Sequence, residues 1–402
     1  MFFSENNRLS RPHFDWPLLV ASYMLALYGV LAITIANFDP SLGSDRSLQD
    51  LVMDANNGRL QLLWVVVSMV AVAVIVNINY TIIGKLWPVI YFIDVLLLGL
   101  VLTTSKINGV SGWFQFLDRT FQPSELAKIC YIFAGAATLD RLFRKRNLGL
   151  FIVLTGVCLA CLAYMSDFGT AAIFFVTFLV IAYLRSGDWA TLALICGGGV
   201  FAVLTMLSVK PYILNRFATW GHAWQNASVG SGYQQTRTMS AAASGGLVGV
   251  GPGEGWLHNV AAGDTDLVFG MLCEEWGLII AVLAVLAVLT LAVFAVRASR
   301  AGRSSFYIIA ACAATSMMVF QTCLNVFGAV DILPLTGVTF PFVSNGGTAM
   351  IASWGLLAYL KATDTRQNAS FAIRLPSRRE DRGGARLAPR KTEEWEAPDE
   401  ED

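Results

Sequence analysis

Three stretches of this chain set groups capable of acid–base or electrostatic chemistry inside otherwise apolar sequence. The first is Gln122-Pro123-Ser124-Glu125-Leu126-Ala127-Lys128. Proline is tolerated in the first turn of a helix, and a carboxylate there is favoured by the helix dipole, so the stretch opens a helix. Glu125 and Lys128 are three apart, share a face and can pair. Such a pair either offsets the cost of two charges near a membrane or forms a charged wall of a hydrophilic cavity; spacing leaves both open. The second stretch is Asp264-Thr265-Asp266, leading into an apolar run that carries Glu274 and Glu275. Asp266 fits a helix N-cap, a role Thr265 also fits, or a general base or metal ligand. The third runs from Pro334 to Gly347, where Pro334, Pro341, Gly346 and Gly347 make irregular backbone around Ser344. Irregular backbone at membrane depth requires protein or a water cavity to satisfy it, and polar atoms at such breaks often line a substrate site.

Other chemistries lack their residues. There is no GxxxxGK[ST] stretch, and Gly249-Val250-Gly251-Pro252-Gly253 follows no strand, so no nucleotide cofactor is expected. His13, His222 and His258 have no ligand spacing. All seven cysteines lie in apolar runs; Cys158-x-x-Cys161 sits mid-helix without a second pair, so neither disulfides nor a zinc site are expected. Asp94, halfway along an apolar run, is expected to make a polar contact between helices.

The elements that must position these groups are membrane helices. The chain has 402 residues, 55% of them hydrophobic, and only 14% are Asp, Glu, Lys or Arg, against about 25% in soluble proteins. Fifteen of the charges fall after residue 375. The expected fold is an all-α polytopic membrane protein of about ten transmembrane helices, at 16–36, 60–83, 87–103, 124–140, 148–165, 169–184, 189–209, 266–296, 306–328 and 346–361. The first run is read as an uncleaved span after a cytoplasmic N-terminus, 1–15. Lys85, Arg141, Arg144, Lys145, Arg146, Arg185, Arg297, Arg300 and Arg303 all fall on one side, which places both termini in the cytoplasm. Residues 210–265 then form a large extracytoplasmic loop between helices seven and eight. It is glycine-rich, and Met239–Val250 is apolar enough to lie on the membrane interface. A structureless connection of that length is uncommon unless it is functional. The tail, 362–402, turns from basic to acidic and is expected to be disordered.

Six motifs in order resemble the SEDS family (shape, elongation, division and sporulation), whose members include RodA, FtsW and SpoVE. They are Gln122-Pro123-Ser124-Glu125 with Lys128; Ser166-Asp167-Phe168-Gly169-Thr170-Ala171; Gly232-Tyr233-Gln234-Gln235; Ser244-Gly245-Gly246-Leu247-x-Gly249-x-Gly251; Thr265-Asp266 with Glu274-Glu275-x-Gly277; and Pro341-Phe342-Val343-Ser344-x-Gly346-Gly347. The family often has Arg-Trp where this chain has Gly112-Trp113, which weakens the case for a phosphate contact there. Ser166 and Asn345 replace the family's usual proline and tyrosine.

The resemblance implies a ten-helix peptidoglycan glycosyltransferase that polymerises lipid II on the outer face of the bacterial cytoplasmic membrane and releases undecaprenyl diphosphate. The expected partners are a class B penicillin-binding protein and proteins of the elongation or division complex, with no nucleic acid. Asp266 matches the family's essential aspartate and is the expected catalytic residue. Glu125, Lys128, Gln122, Ser124, Gln234, Glu274, Ser344, Gly346 and Gly347 are expected to line the substrate site. A divalent cation, Mg2+ or Mn2+, is the expected cofactor, with Asp266 and Asp264 its possible ligands. The rival reading is a flippase for the same lipid-linked precursor, which ten helices and intramembrane charges suit equally well; no inverted repeat is visible to favour it. A non-catalytic scaffold is disfavoured by the presence of Asp266, Glu125 and Lys128 together.

Overall fold

The computed structural model describes residues 62–68, 86–102, 112–116, 119–139, 145–209, 219–228, 230–301 and 305–365, with residues 24, 27 and 70. All of the expected first span but residues 24 and 27, the 37–59 loop and most of the charged tail lie outside the described residues. The named elements are α1 (Trp87–Val101), β1 (Phe114–Phe116), β2 (Arg119–Phe121), α2 (Pro123–Leu139), α3 (Lys145–Met165), α4 (Phe168–Ser186), α5 (Trp189–Val209), α6 (Gly230–Gly245), α7 (Val268–Ala301), α8 (Ser305–Ala329) and α9 (Gly347–Thr365). Among the described residues, three helical stretches are long and apolar enough to cross a membrane: Phe168–Ser186, Val268–Arg297 and Ser305–Ala329.

Three features depart from the sequence reading. The fold is not purely helical, because β1 and β2 pair antiparallel, with Phe114 opposite Phe121, just before α2. Nor is 210–265 a plain loop: α6 lies inside it, and a 3₁₀ turn follows at Leu257–Asn259. Asp94 also differs from expectation. It is fully buried, and neither carboxylate oxygen has a hydrogen-bond partner among the described residues.

Local chemistry sets the helix ends. Asp167 caps α4 by accepting the Thr170 N–H (3.0 Å). Gly187, at φ 61°, ends it, with its N–H on the Tyr183 carbonyl (2.8 Å). Asp188 then accepts from the Thr191 hydroxyl (2.7 Å) and from the N–H groups of Ala190 and Thr191 at the start of α5, and these bonds, the hydroxyl's first, hold its carboxyl below the usual carboxylate range.

α8 is the centre of the bundle and packs against α2, α4, α7 and α9. Ala310, Ala311, Ala313 and Ala314 are fully buried along it, small side chains that let neighbouring backbones approach. An aromatic cluster joins the other helices: Tyr91 of α1, Tyr131 of α2, Phe151 of α3, and Phe174 and Phe178 of α4 stack with centroids 4.9–6.2 Å apart. By contrast, Leu194, Val200, Phe201 and Leu204 of α5 and Ile279, Leu283 and Leu286 of α7 are exposed. Outward apolar faces of this kind suit lipid rather than water.

The break in α7 explains two glycine motifs at once. Gly277 has φ 84° and ψ 164°, outside helical space. The freed groups are satisfied by the turn that follows α6: Val250 N–H donates to the Glu274 carbonyl (2.9 Å), Gly251 N–H to that of Glu275 (3.2 Å), and the N–H groups of Leu278 and Ile279 donate to the carbonyls of Gly246 (3.0 Å) and Leu247 (3.3 Å). A Cβ on Gly245, Gly249 or Gly277 would strike backbone of the other segment. Ser244–Gly251 and Glu274–Gly277, about 25 residues apart in the sequence, are therefore one stitched unit.

Candidate functional site

α2 opens with Pro123 and presents Glu125 and Lys128, 4% and 1% exposed, towards α8. Lys128 Nζ donates to Glu125 Oε1 at 2.8 Å and to Gln321 Oε1 at 3.0 Å. A charged pair buried this deeply persists only when its remaining polar capacity is met, and Gln321 of α8 meets it. Gln321 Nε2 in turn donates to the carbonyl (2.8 Å) and hydroxyl (2.9 Å) of Thr339.

Asp266 lies in the turn before α7. Protein surrounds it closely, and the residue is half-buried rather than packed in the core. Burial, reinforced by the negative charges of Asp167, Asp264 and Glu125, pushes its carboxyl up to about 6, while the Thr265 side chain opposes the shift. Its backbone carbonyl accepts from Asn325 Nδ2 of α8 (2.8 Å). Gly337, at φ 72°, stands opposite: a Cβ there would come within 3.2 Å of Asp266 Oδ2. Asp167 belongs to the same electrostatic group. Burial raises its carboxyl, Thr170 and Lys128 lower it, and Glu125 raises it. Gly169, the second residue of α4, leaves room for Thr336 and Val338 to pass, which brings the Asp167 cap against the 334–340 backbone.

The 334–347 connection wraps the Asp264-Thr265-Asp266 turn. Ser344 Oγ donates to the Thr265 carbonyl (2.6 Å) and accepts the Phe340 N–H (2.7 Å). Asn345 donates from its backbone N–H to the Asp264 carbonyl (2.9 Å) and from Nδ2 to Asp264 Oδ2 (2.7 Å). Gly346 accepts the Met350 N–H at the start of α9 (2.9 Å), and a Cβ on Gly347 would strike the Trp64 indole.

The residues singled out in the sequence thus separate into groups. Glu125, Lys128, Asp264, Asp266 and Ser344 come together. Ser124 is buried beside them, its hydroxyl without a partner among the described residues, and Gln122 is half-buried at the head of α2. Glu274 and Gln234 instead hold loops. Glu274 accepts the N–H groups of Trp256 (3.0 Å) and Leu257 (3.1 Å), and Gln234 donates to the Ala261 carbonyl (3.0 Å). Four participants were not expected at the site: Asp167 as a charge facing it, Gln321, Asn325 and Asn345. Gln321 and Asn325 carried a usable signal, two amides four residues apart in an apolar span. For the expected Mg2+ or Mn2+ the fit is poor. Among the described residues, no three His, Cys, Asp or Glu side chains gather into a metal site, and Asp264 Oδ2 is already held by Asn345.

The site therefore sets the raised Asp266 carboxyl within electrostatic reach of Glu125, itself paired with the buried Lys128, and glycine keeps the facing backbone close. Comparison with known proteins identifies the family and the fold. RodA of Mycobacterium leprae, a peptidoglycan glycosyltransferase, is 26% identical over 273 residues, covering 63% of this chain and 58% of that protein. FtsW of Escherichia coli, a probable peptidoglycan glycosyltransferase, is 29% identical over 274 residues, covering 64% of each. The matches thus span about three fifths of those relatives. Among solved structures, a chain of a peptidoglycan synthase complex that coordinates polymerization and crosslinking superposes with TM-score 0.70 at 23% identity, covering 89% of this chain and 99% of that one. The Thermus thermophilus rod shape determining protein RodA gives 0.61 at 22% identity, covering 89% and 98%. At those identities the likeness establishes the fold. The family model described as "Cell cycle protein", that of FtsW, RodA and SpoVE, matches residues 17–369, and the chain belongs to that family.

Proposed function

We propose that this protein is a peptidoglycan glycosyltransferase that polymerises lipid II at the outer face of the bacterial cytoplasmic membrane. The observation that carries the reading is Asp266, a carboxylate raised to about 6 within electrostatic reach of Glu125 of the buried Lys128–Glu125 pair. Asp266 takes the proton of the acceptor sugar hydroxyl. That oxygen bonds to the anomeric carbon of the donor, whose bond to the diphosphate breaks, and undecaprenyl diphosphate leaves. Lys128 stabilises the charge that develops on the diphosphate. These steps need no Mg2+ or Mn2+, and among the described residues no three His, Cys, Asp or Glu side chains gather to hold one.

The wider architecture follows the same reading. Ten spans with both termini in the cytoplasm put the 210–265 region, with α6, outside, where lipid-linked sugars are polymerised. The synthase-complex neighbour supports a crosslinking partner, a class B penicillin-binding protein within an elongation or division complex. Labelled lipid II supplied to proteoliposomes of the purified protein tests the function. Glycan polymer is the expected product; translocated lipid II without polymer would favour the flippase instead.

A further inference from the structure

α8 carries two amide side chains one turn apart, Gln321 and Asn325, 3% and 2% exposed. Their orientations are fixed by their partners. Lys128 can only donate, so the atom of Gln321 facing it at 3.0 Å is Oε1, leaving Nε2 to donate to Thr339. Main-chain carbonyls can only accept, so Asn325 turns Nδ2 to those of Asp266 and Val338, both at 2.8 Å. Its Oδ1 is left buried without a partner among the described residues. Residues four apart lie on one face of a helix, about 6 Å along its axis. One rigid turn of α8 therefore touches three segments remote in sequence: the cation of α2, the 338–339 backbone, and the turn that carries Asp266.

We propose that Gln321 and Asn325 are positioning residues for the polymerisation reaction, a two-amide ladder that sets the spacing between Lys128 and Asp266. The inference rests on the polymerase reading above. Gln321 holds the ammonium at one end, and Asn325 holds the main chain of the base at the other. Both amides also tie the intervening 334–347 connection, so neither group shifts without the other. A simple staple of the fold would use the same bonds, but its loss would reduce the amount of folded protein rather than the turnover of each molecule. Asn325 Oδ1, buried and unpaired, is a cost that an apolar residue of similar size would not carry, which argues for geometry over stability.

Steady-state kinetics on lipid II, normalised to folded protein, test the ladder in Gln321→Met and Asn325→Leu. Each is expected to lower kcat at least about tenfold with KM within about threefold, because misplacing a reacting group removes transition-state rather than ground-state binding. Thr339→Val, which removes one hydroxyl and keeps the carbonyl, is expected within about threefold of wild type. Gln321→Met preserves length and packing, so it decides the matter if Asn325→Leu does not fold. A kcat within about twofold of wild type, or a loss confined to KM, overturns the ladder. Wild type and Asp266→Asn run alongside. An inactive wild type or an active Asp266→Asn would sink the polymerase reading itself, whereas a normal control pair with active Gln321→Met sinks only the ladder.

Discussion

At the scale of single residues, the site depends on charges kept in unequal environments. Asp266 is raised to about 6 while Lys128 and Glu125 stay paired in the interior. A base must be ionised to work, so turnover is expected to be flat above about pH 7 and to fall about tenfold per unit as pH drops below about 6. Asp167→Asn removes one of the negative charges that raise Asp266. The acidic limb of the pH–rate profile should then move to lower pH; a shift to higher pH, or none, would contradict the electrostatic account. The ion pair makes a separate prediction. Lys128→Met leaves Glu125 buried without its cation and should cost about 3–5 kcal/mol, while Glu125→Gln with Lys128→Met recovers much of that loss. Equal losses in single and double variants, read from detergent unfolding, would show that the pair is not energetically coupled. These charged residues were legible in the sequence because so few charges lie at membrane depth. Gln321 and Asn325 carried a weaker signal, since an uncharged amide in an apolar span stands out less sharply than a charge, and their partners Lys128 and Asp266 lie far away in the chain.

At the scale of elements, α7 is the piece whose shape matters most. Gly277 occupies backbone space that is essentially glycine-only, and a Cβ there would meet the Leu247 carbonyl. Gly277→Ala should destabilise the fold by about 1–3 kcal/mol and loosen the 246–251 turn, detected as a lower unfolding temperature and faster proteolysis at that turn. An unchanged profile would mean that the stitch between α6 and α7 is not a stabilising unit. Apolar runs at 169–184 and 306–328 marked α4 and α8 to within a few residues, because lipid-length hydrophobic segments need no tertiary information. α6 was hidden for the opposite reason. Its stretch holds Gly230, Gly232 and Gly245, poor helix formers, and its stability comes from packing against α7. The glycine pattern was visible, but its cause, a loop entering a helix break, exists only in three dimensions. The β1–β2 hairpin is too short to have carried a strand signal of its own.

At the scale of the whole molecule, α8 acts as the axis on which α2, α7 and the 334–347 connection are hung, with lipid-facing apolar surface outside and the charged group enclosed. That arrangement explains why one chain can hold Asp266, Asp167 and Lys128 near one another although they come from separate segments: each sits at a helix end or within its first two turns, and irregular backbone fills the gap between them. Family membership is established by the match over residues 17–369; the polymerase chemistry rests on the Asp266 site. Its most direct test is glycan polymer formed from purified lipid II by wild type and Asp266→Asn, compared at about pH 7.5, above the Asp266 titration. The account predicts polymer with wild type and a loss of at least about a hundredfold with Asp266→Asn. Polymerisation at the wild-type rate by Asp266→Asn would contradict it.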